Sequence, residues 1–274
     1  GPARQQWLNA KPMEVEVTQP DGSRRTLRGR ELVQWKYQRY MQDYLACVQG
    51  VDDSVGEVLD YLDRSGLAAN TIVIYSSDNG WYLGDLGLYD KRFMYEPGMH
   101  IPLLVRGPGI KAGLVTDLFA LNADFAPTFL EFAGLPVPAD MHGRSLVPVL
   151  RGEQPKDWRT SAYYRYYHDP GHHNTRAHYG VRTATHKLIH YWKKDAWELY
   201  DLVNDPTEQR NLAGDPRHAA TLATLKAEIV RLQKELGDTG QFADAIPPDG
   251  VDAPIKVPVL GKKTVAEAIA AARP

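Results

Sequence analysis

A single cysteine, Cys47, stands among 274 residues. One thiol excludes an internal disulfide, and there is no cysteine-based zinc motif. Long apolar runs are missing too: none approaches the roughly 18 residues that span a bilayer, so no membrane span is expected. Neither sign of charge is in excess, since Lys plus Arg total 32 against 34 for Asp plus Glu, a formal net charge of −2. No global field draws the chain to a polyanion or a membrane surface, and no nucleic acid is expected among its partners. Lys262-Lys263 is too short a basic run to alter that. Internal repeats, low-complexity segments, an initiator Met and a signal-peptide pattern are all absent. What is present, 43% apolar and 24% charged residues, is an ordinary globular composition and excludes a disordered chain, a collagen and a coiled coil.

A polar stretch over residues 3–29 holds a turn at Pro20-Asp21-Gly22-Ser23. From about Glu31 to Ser65, Leu32, Trp35, Tyr40, Tyr44, Leu45, Val51, Val55, Leu59 and Leu62 recur at three- and four-residue steps. That spacing predicts an amphipathic helix, or two with a break at Gly50 or Gly56, stopped by Gly66. On such a helix Cys47 is expected to be a buried small apolar residue. Thr71-Ile72-Val73-Ile74-Tyr75-Ser76 is β-branched and not strictly alternating, which predicts a strand buried on both faces. Ile101–Arg106 and Val115–Phe119 are further strand candidates, and a helix is expected from about Ala123 to Ala133. This part reads as α/β with a mainly parallel sheet. Beyond the break at Arg151–Pro155 the pattern changes. Ser161–Tyr167, Tyr179–Thr183, Lys187–Trp192 and Trp197–Leu202 predict short antiparallel strands, followed by a helix over Pro216–Leu236 and a short one over Thr264–Ala272.

The sharpest chemical feature is Ser77-Asp78-Asn79-Gly80 directly after the first strand. Ligands of open parallel sheets bind beyond the carboxyl ends of strands. There a carboxylate and an amide carbonyl offer adjacent hard oxygens, which favour calcium or magnesium over zinc or copper. The same four residues also make an ordinary Asx turn. Gly80, Gly84 and Gly87 allow a tight loop that brings Asp90-Lys91-Arg92 back to the strand end. A cation and Lys91 converging on one point suit a tetrahedral oxyanion; the alternative is a solvated charge cluster. His168, His172, His173 and His178 are clustered, but Asp169-Pro170-Gly171 between them favours a polar loop at a pocket rim over a zinc site. Alternation in Tyr163-Tyr164-Arg165-Tyr166-Tyr167 sends its side chains to opposite faces, so half of the run is expected in the core.

The run from Thr71 to Gly109, with its SDNGWYLGDLGLYDKRFMYEPGMHIPLLVRGPG core, resembles the second half of a type I sulfatase. So do Lys36–Tyr40 and Val51–Gly56 before it, and Asn122–Thr128, Gly143–Leu146, Tyr179–Thr183, Lys187–Ile189, Trp197–Leu202, Asn204-Asp205-Pro206 and Asn211-Leu212 after it. The resemblance covers about residues 31–236 in order, and is strongest to bacterial N-acetylglucosamine-6-sulfatase-like enzymes. It implies an alkaline-phosphatase-like sulfatase core, partial and mainly parallel, with a smaller C-terminal α+β subdomain containing an antiparallel sheet. Residues 1–150 would be the C-terminal part of the catalytic domain and 151–274 the subdomain with its tail.

By that resemblance Asp78 and Asn79 are ligands of a catalytic calcium, with magnesium an alternative. Lys91 is the catalytic lysine on the sulfate and its ester oxygen. Asp90, Arg92 and His178 contact the sugar. The implied activity is calcium-dependent hydrolysis of a sulfate ester on a sulfated carbohydrate, 6-O-sulfated N-acetylglucosamine in glycosaminoglycan or mucin-type glycans, in a periplasmic or secreted setting. One departure is large. The formylglycine nucleophile of the family arises in a Cys-x-Pro/Ala-x-Arg motif, which Cys47-Val48-Gln49-Gly50-Val51 does not match. The N-terminal paired aspartates of the metal site are missing too, and Asp52-Asp53 lies in the helix before the metal strand. The chain is therefore expected to need the N-terminal half of the sulfatase as a partner and to be inactive alone. Two other readings are a non-catalytic module that binds sulfated glycan and a phosphoryl-transfer member of the same superfamily.

Overall fold

The computed structural model describes residues 14–171, 174–240 and 243. Along the chain come β1 (Val15–Thr18), β2 (Arg24–Leu27), α1 (Gly29–Arg64), β3 (Val73–Ser76), β4 (Tyr82–Leu83), β5 (Tyr89–Asp90), α2 (Glu96–Met99), β6 (Leu103–Arg106), α3 (Phe125–Phe132), α4 (Val147–Leu150), β7 (Ser161–Tyr166), β8 (His178–Thr183), β9 (His186–Tyr191), β10 (Ala196–Asp201) and α5 (Ala219–Glu235). The expected helix over Thr264–Ala272 lies outside the described residues.

β1 and β2 form an antiparallel hairpin. Its turn is closed by Asp21, whose Oδ1 accepts from the Ser23 amide at 2.9 Å and the Ser23 hydroxyl at 2.7 Å. α1 then runs unbroken through Gly50 and Gly56 for 36 residues, about 54 Å at 1.5 Å per residue. Arg39–Asp43 and Gln49–Asp53 pairs one turn apart support its exposed face. It ends where Gly66 takes φ 72° and the Leu67 amide returns to the Leu62 carbonyl at 3.0 Å, the glycine stop expected from the sequence.

The apolar stripe of α1 is present but mostly uncovered. Leu32 is its one buried residue, while Leu45, Val48, Val51, Val58 and Tyr61 are between 46% and 60% exposed. Cys47 corrects expectation for the same reason: it is exposed, on a helix whose surface is mostly uncovered. Along its C-terminal half, α1 and the β3–β6 ribbon enclose a groove of about 380 Å³ lined by Val48, Val51, Val55, Leu59, Tyr75 and Leu104.

The sheet expectation is also corrected. β3 pairs β6 antiparallel, Val73 opposite Arg106 and Ser76 opposite Leu103, and every ladder among the described residues is antiparallel. The connection between β3 and β6 carries a small hairpin and one helical turn, and it reverses the chain instead of carrying it through a long crossover helix. Nor is β3 buried on both faces, since Tyr75 is 41% exposed. The expected Val115–Phe119 strand is absent. Val115 is 90% exposed with no strand beside it, and Thr116 Oγ1 accepts instead from the Leu118 amide at 3.2 Å.

The second part follows its pattern closely. β10, β9, β8 and β7 lie side by side in that order, all antiparallel. Alternation divides their side chains between two cores. Val181, Leu188 and Leu199 pack with Leu225, Ile229 and Leu232 of α5. On the opposite face Ile189, Tyr191 and Tyr200 pack with Phe93, Met94 and Tyr95. Gly180 makes this second contact possible: a Cβ there would stand 2.2 Å from the Leu188 carbonyl oxygen and 2.7 Å from Met94 Sδ.

A buried ion network fixes α2 to the same sheet. Lys187, with no exposed surface, places Nζ 2.7 Å from both Glu208 Oε1 and Glu96 Oε1. Arg182 adds a second cation on Glu96 at 3.1 Å, and Glu208 Oε2 accepts from the Glu96 amide at 2.7 Å.

Candidate functional site

Asp78 and Asn79 leave the end of β3 in a loop held from three sides. The Ser77 hydroxyl donates to the Asn79 carbonyl at 2.8 Å. Asn122 Nδ2 donates to the Asp78 carbonyl at 2.7 Å. The Gly80 amide donates to the Gly98 carbonyl at 3.0 Å. The last contact is possible only without a side chain, because a Cβ at Gly80 would lie 2.2 Å from the Pro97 carbonyl oxygen. Asn79 Nδ2 donates to the Gly80 carbonyl at 2.7 Å, which leaves its Oδ1 as the unused acceptor. The Asp78 residue is exposed, and no hydrogen bond or ion pair engages its carboxylate among the described residues. Two hard oxygens, one anionic, fit part of a calcium or magnesium shell. Calcium takes about six to eight oxygens, and no cluster of three or more His, Cys, Asp or Glu able to hold a metal occurs among the described residues.

The β4–β5 hairpin carries the next three candidates. Tyr82 pairs with Asp90, so Lys91 falls opposite Trp81. Gly84 and Gly87 take φ 108° and 73° and make the tight reversal. Lys91 Nζ stands over the Trp81 ring, 5.5 Å from its centroid, and Trp81 Nε1 donates to the Tyr40 hydroxyl at 2.8 Å. That bond brings the first turns of α1 to the site. Asp90 is buried at a left-handed φ of 80° and forms an ion pair with Arg92.

His178, at the start of β8, approaches from the other sheet. It is fully buried among the rings of Phe93, Tyr164, Tyr166 and Tyr191, with centroids 5.3–5.9 Å away. Phe93 and Arg92 are neighbours in sequence, and Tyr164 donates its hydroxyl to the Arg92 carbonyl at 3.0 Å, so His178 lies beside the segment that carries Arg92, with Lys91 next to it in the chain. His178 Nδ1 lies 2.7 Å from the Arg176 carbonyl. A carbonyl can only accept, so Nδ1 carries the proton and Nε2 presents a lone pair. Nε2 is buried with no hydrogen-bond partner among the described residues. Burial pushes the imidazole down to about 4, against the opposing pull of the Arg176 carbonyl. The ring is therefore neutral at pH 7, an acceptor fixed in place.

The candidate residues thus come from two loops and a strand that meet around one hairpin. Several members of the cluster were not singled out from the sequence. Tyr164 and Tyr166 share the His178 face, and Tyr166 pairs directly with His178; two-residue alternation within the aromatic run is the signal that points to them. Trp81, Tyr40, Asn122 and Gly98 act through contacts between distant segments and leave no local signature. Of the histidine cluster, His168 packs against Tyr166 at 5.9 Å, while His172 and His173 lie outside the described residues.

Comparison with known proteins adds an independent line. Residues 84–235 match a family model described as N-sulphoglucosamine sulphohydrolase, C-terminal, and residues 6–135 match one described as sulfatase. The chain is 47% identical over 216 residues to an N-acetylglucosamine-6-O-sulfatase of Bacteroides thetaiotaomicron, a match covering 77% of this chain and 39% of that protein. Among solved structures it resembles one in complex with its substrate D-glucosamine-2-N,6-O-disulfate, with a TM-score of 0.75 and 46% identity over 78% of this chain and 44% of the other. It also resembles a phosphonate monoester hydrolase of Silicibacter pomeroyi, with a TM-score of 0.68 and 29% identity over 76% of this chain and 43% of that one. The chain therefore spans about two fifths of the length of these relatives. Their fold is the alkaline-phosphatase-like one of the sulfatases. Sequence models, pairwise identity and shape agree: the chain belongs to the sulfatase family.

Proposed function

We propose that this chain is the sugar-recognising part of a sulfatase, and that its substrate is 6-O-sulfated N-acetylglucosamine in glycosaminoglycan or mucin-type glycans. The observation that carries this reading is the gathering of Lys91, the Asp90–Arg92 pair and the buried acceptor of His178 around one hairpin. Lys91 supplies the fixed positive charge, set against the sulfate and the ester oxygen that leaves. Asp90 accepts from a sugar hydroxyl while Arg92 donates to one. His178 Nε2, an acceptor alone, lies buried beneath these groups and would accept a hydrogen bond from a sugar hydroxyl only once the rings around it shift. Donors and acceptors fixed on a packed scaffold in this way would orient the ester for attack.

Asp78 and Asn79 would hold calcium, or magnesium, through their side-chain oxygens. When bound, that ion supplies Lewis-acid stabilisation of the sulfate oxygens. The formylglycine nucleophile and the remaining ligands come from the N-terminal half of the fold, whose seat is the exposed stripe of α1 and the β3–β6 ribbon. In this reading residues 1–150 complete the catalytic domain, residues 151–274 form the subdomain, and the whole works in a periplasmic or secreted setting.

Two measurements on the purified chain test the proposal. Calorimetry with 6-O-sulfo-N-acetylglucosamine should show binding that Arg92→Ala weakens about tenfold or more, the scale of a lost charge-assisted hydrogen bond. Sulfate release from the same sugar should be absent. Clear turnover would overturn the division of labour, and binding indifferent to Arg92 would overturn the site.

A further inference from the structure

Beside Lys91 lies a groove that the sugar reading above does not use. α1 and the β4–β5 hairpin enclose a cavity of about 640 Å³, walled by Val33, Gln34 and Tyr37 on the helix and by Leu83, Gly84 and Asp85 on the hairpin. Its place is fixed from both sides. Tyr37 precedes Tyr40 by three residues, so the two share one face of α1, about 4.5 Å apart along its axis. The Tyr40 hydroxyl accepts from Trp81 Nε1 at 2.8 Å, and Lys91 Nζ is 5.5 Å from the centroid of the Trp81 ring. Gly84 comes three residues after Trp81, on the order of 10 Å along the hairpin. The groove is thus within reach of a sugar joined to one whose sulfate meets Lys91, and it is open to solvent: Tyr37 is 36% exposed, and Gln34 and Asp85 are exposed.

The lining says what kind of sugar fits. Tyr37 offers a ring against a bare wall, since Gly84 has no side chain and a Cβ there would already stand 3.4 Å from Tyr37 Cε2. The apolar C–H face of a pyranose packs on such a ring. Asp85 Oδ2 accepts from the Leu83 amide at 2.9 Å, which fixes the carboxylate and leaves Oδ1 to accept from a hydroxyl. The Gln34 amide adds both a donor and an acceptor. Among the described residues no Lys, Arg or His lines the groove. Its one charge is therefore the Asp85 carboxylate, which repels an acidic neighbour and leaves a neutral one free to enter.

We propose that this groove is a second sugar subsite, which takes the residue joined to the 6-sulfated one, and that it accepts an uncharged hexose and rejects a hexuronate. The inference rests on the 6-sulfated sugar reading at Lys91 and narrows it. The substrates are glycans in which the sulfated residue adjoins a neutral sugar.

The test is calorimetry of the chain at low ionic strength, where an exposed charge is least screened. The probes are 6-O-sulfo-N-acetylglucosamine and its disaccharides with galactose and with glucuronate, each joined through C1 and, separately, through O4. One galactose disaccharide should bind about threefold or more tighter than the single sugar, the scale of one net hydrogen bond. The matching glucuronate disaccharide should show no gain. Tyr37→Ala should remove the galactose gain and keep the affinity for the single sugar. Asp85→Asn keeps an oxygen for the Leu83 amide and loses the charge, so the glucuronate disaccharide should now gain as well. No galactose gain, an equal gain for glucuronate in the wild type, a full galactose gain in Tyr37→Ala, or continued rejection of glucuronate in Asp85→Asn each overturns the subsite while the sugar site stands. No binding of the single sugar, or binding indifferent to Arg92→Ala, removes the sugar site and the subsite together. Should Tyr37→Ala fail to fold by circular dichroism, Gln34→Ala takes its place, and a full galactose gain there also overturns the proposal.

Discussion

Replacing Lys187 by methionine tests how the sheet holds the site. Lys187 has no exposed surface and lies 2.7 Å from two carboxylates, Glu208 and Glu96. Methionine fills similar volume but leaves Glu208 without a cation in the interior, while Glu96 keeps Arg182. Breaking one side of a buried ion pair costs about 3–5 kcal/mol, a large share of the roughly 5–15 kcal/mol that holds a domain folded. Urea unfolding should show a drop of that size. Adding Glu208→Gln should restore about half of it, since a neutral amide oxygen still accepts from the Glu96 amide and no uncompensated charge remains.

The same change should reach the proposed sugar site. Glu96 begins the helical turn whose Gly98 carbonyl accepts from Gly80, the residue after Asn79. Affinity for the 6-sulfated sugar should therefore fall in Lys187→Met and recover with the second substitution. The pH dependence follows from the same contacts. For Glu96, burial is outweighed by Arg182 and Lys187, which hold the carboxyl down at about 2. Its contribution is complete above its ordinary value near 4.5 and is lost as pH falls from there towards 2. For Glu208 burial prevails over Lys187 and pushes the carboxyl up, so its part runs the other way, being lost as pH rises above 4.5 through the folded value. A Lys187→Met chain within about 0.5 kcal/mol of wild type, the range of an ordinary surface change, would refute this account of the network.

Gly80→Ala should destabilise the chain by about 1–3 kcal/mol and weaken sugar binding, because its Cβ would meet the Pro97 carbonyl at 2.2 Å and overpacking against backbone has nowhere to relax; thermal unfolding with calorimetry checks both. His178, with its pKa lowered from 6.5 to about 4 by burial, should make stability fall as pH drops from 6.5 to 4. His178→Phe should reduce that slope, leaving the part that comes from His190, which burial also lowers, and urea midpoints across the range decide it. Nitrogen NMR of the wild type should show the Nδ1–H tautomer at pH 7. Cys47, exposed on α1, should react with a thiol reagent in the native chain as fast as in urea, and marked protection would mean that another surface covers the helix.

Legibility from sequence varied with the range of the forces involved. The four strands of the C-terminal sheet were readable to within about a residue, because alternation of Tyr, Trp and Leu against small or polar neighbours is a local signal. α1 was readable as helical, but its continuity was not. Gly50 and Gly56 cost about 1 kcal/mol each, less than the cost of ending and restarting a helix. The direction of β3 against β6 was not legible, since an apolar run such as Thr71–Ser76 looks the same in either kind of sheet. Asp78, Asn79 and the Asp90–Arg92 run could be singled out by residue type and glycine spacing. His178 emerged only through the family resemblance. Its tautomer depends on the Arg176 carbonyl, and the Lys187 network on segments far apart in sequence, so neither leaves a pattern in the chain.

The two sides of the site differ in how they are held, and that bears on how a substrate would be recognised. His178, Tyr164 and Tyr166 project from a four-stranded sheet packed on both faces, while Phe93 to Met99 are pinned to it by Met94 and the Glu96 anchor. Asp90, Lys91 and Arg92 adjoin this segment and inherit its rigidity. Asp78 and Asn79 hang from β3, one strand of an exposed ribbon, and are steadied mainly by Gly98 and Asn122. In the proposed reading the groups set against the sugar are therefore preorganised by this chain's own core, whereas the oxygens set against the cation depend on whatever covers α1 and the ribbon. On that reading recognition of the sugar and assembly of a metal shell would be separable steps, because different packing interactions maintain each.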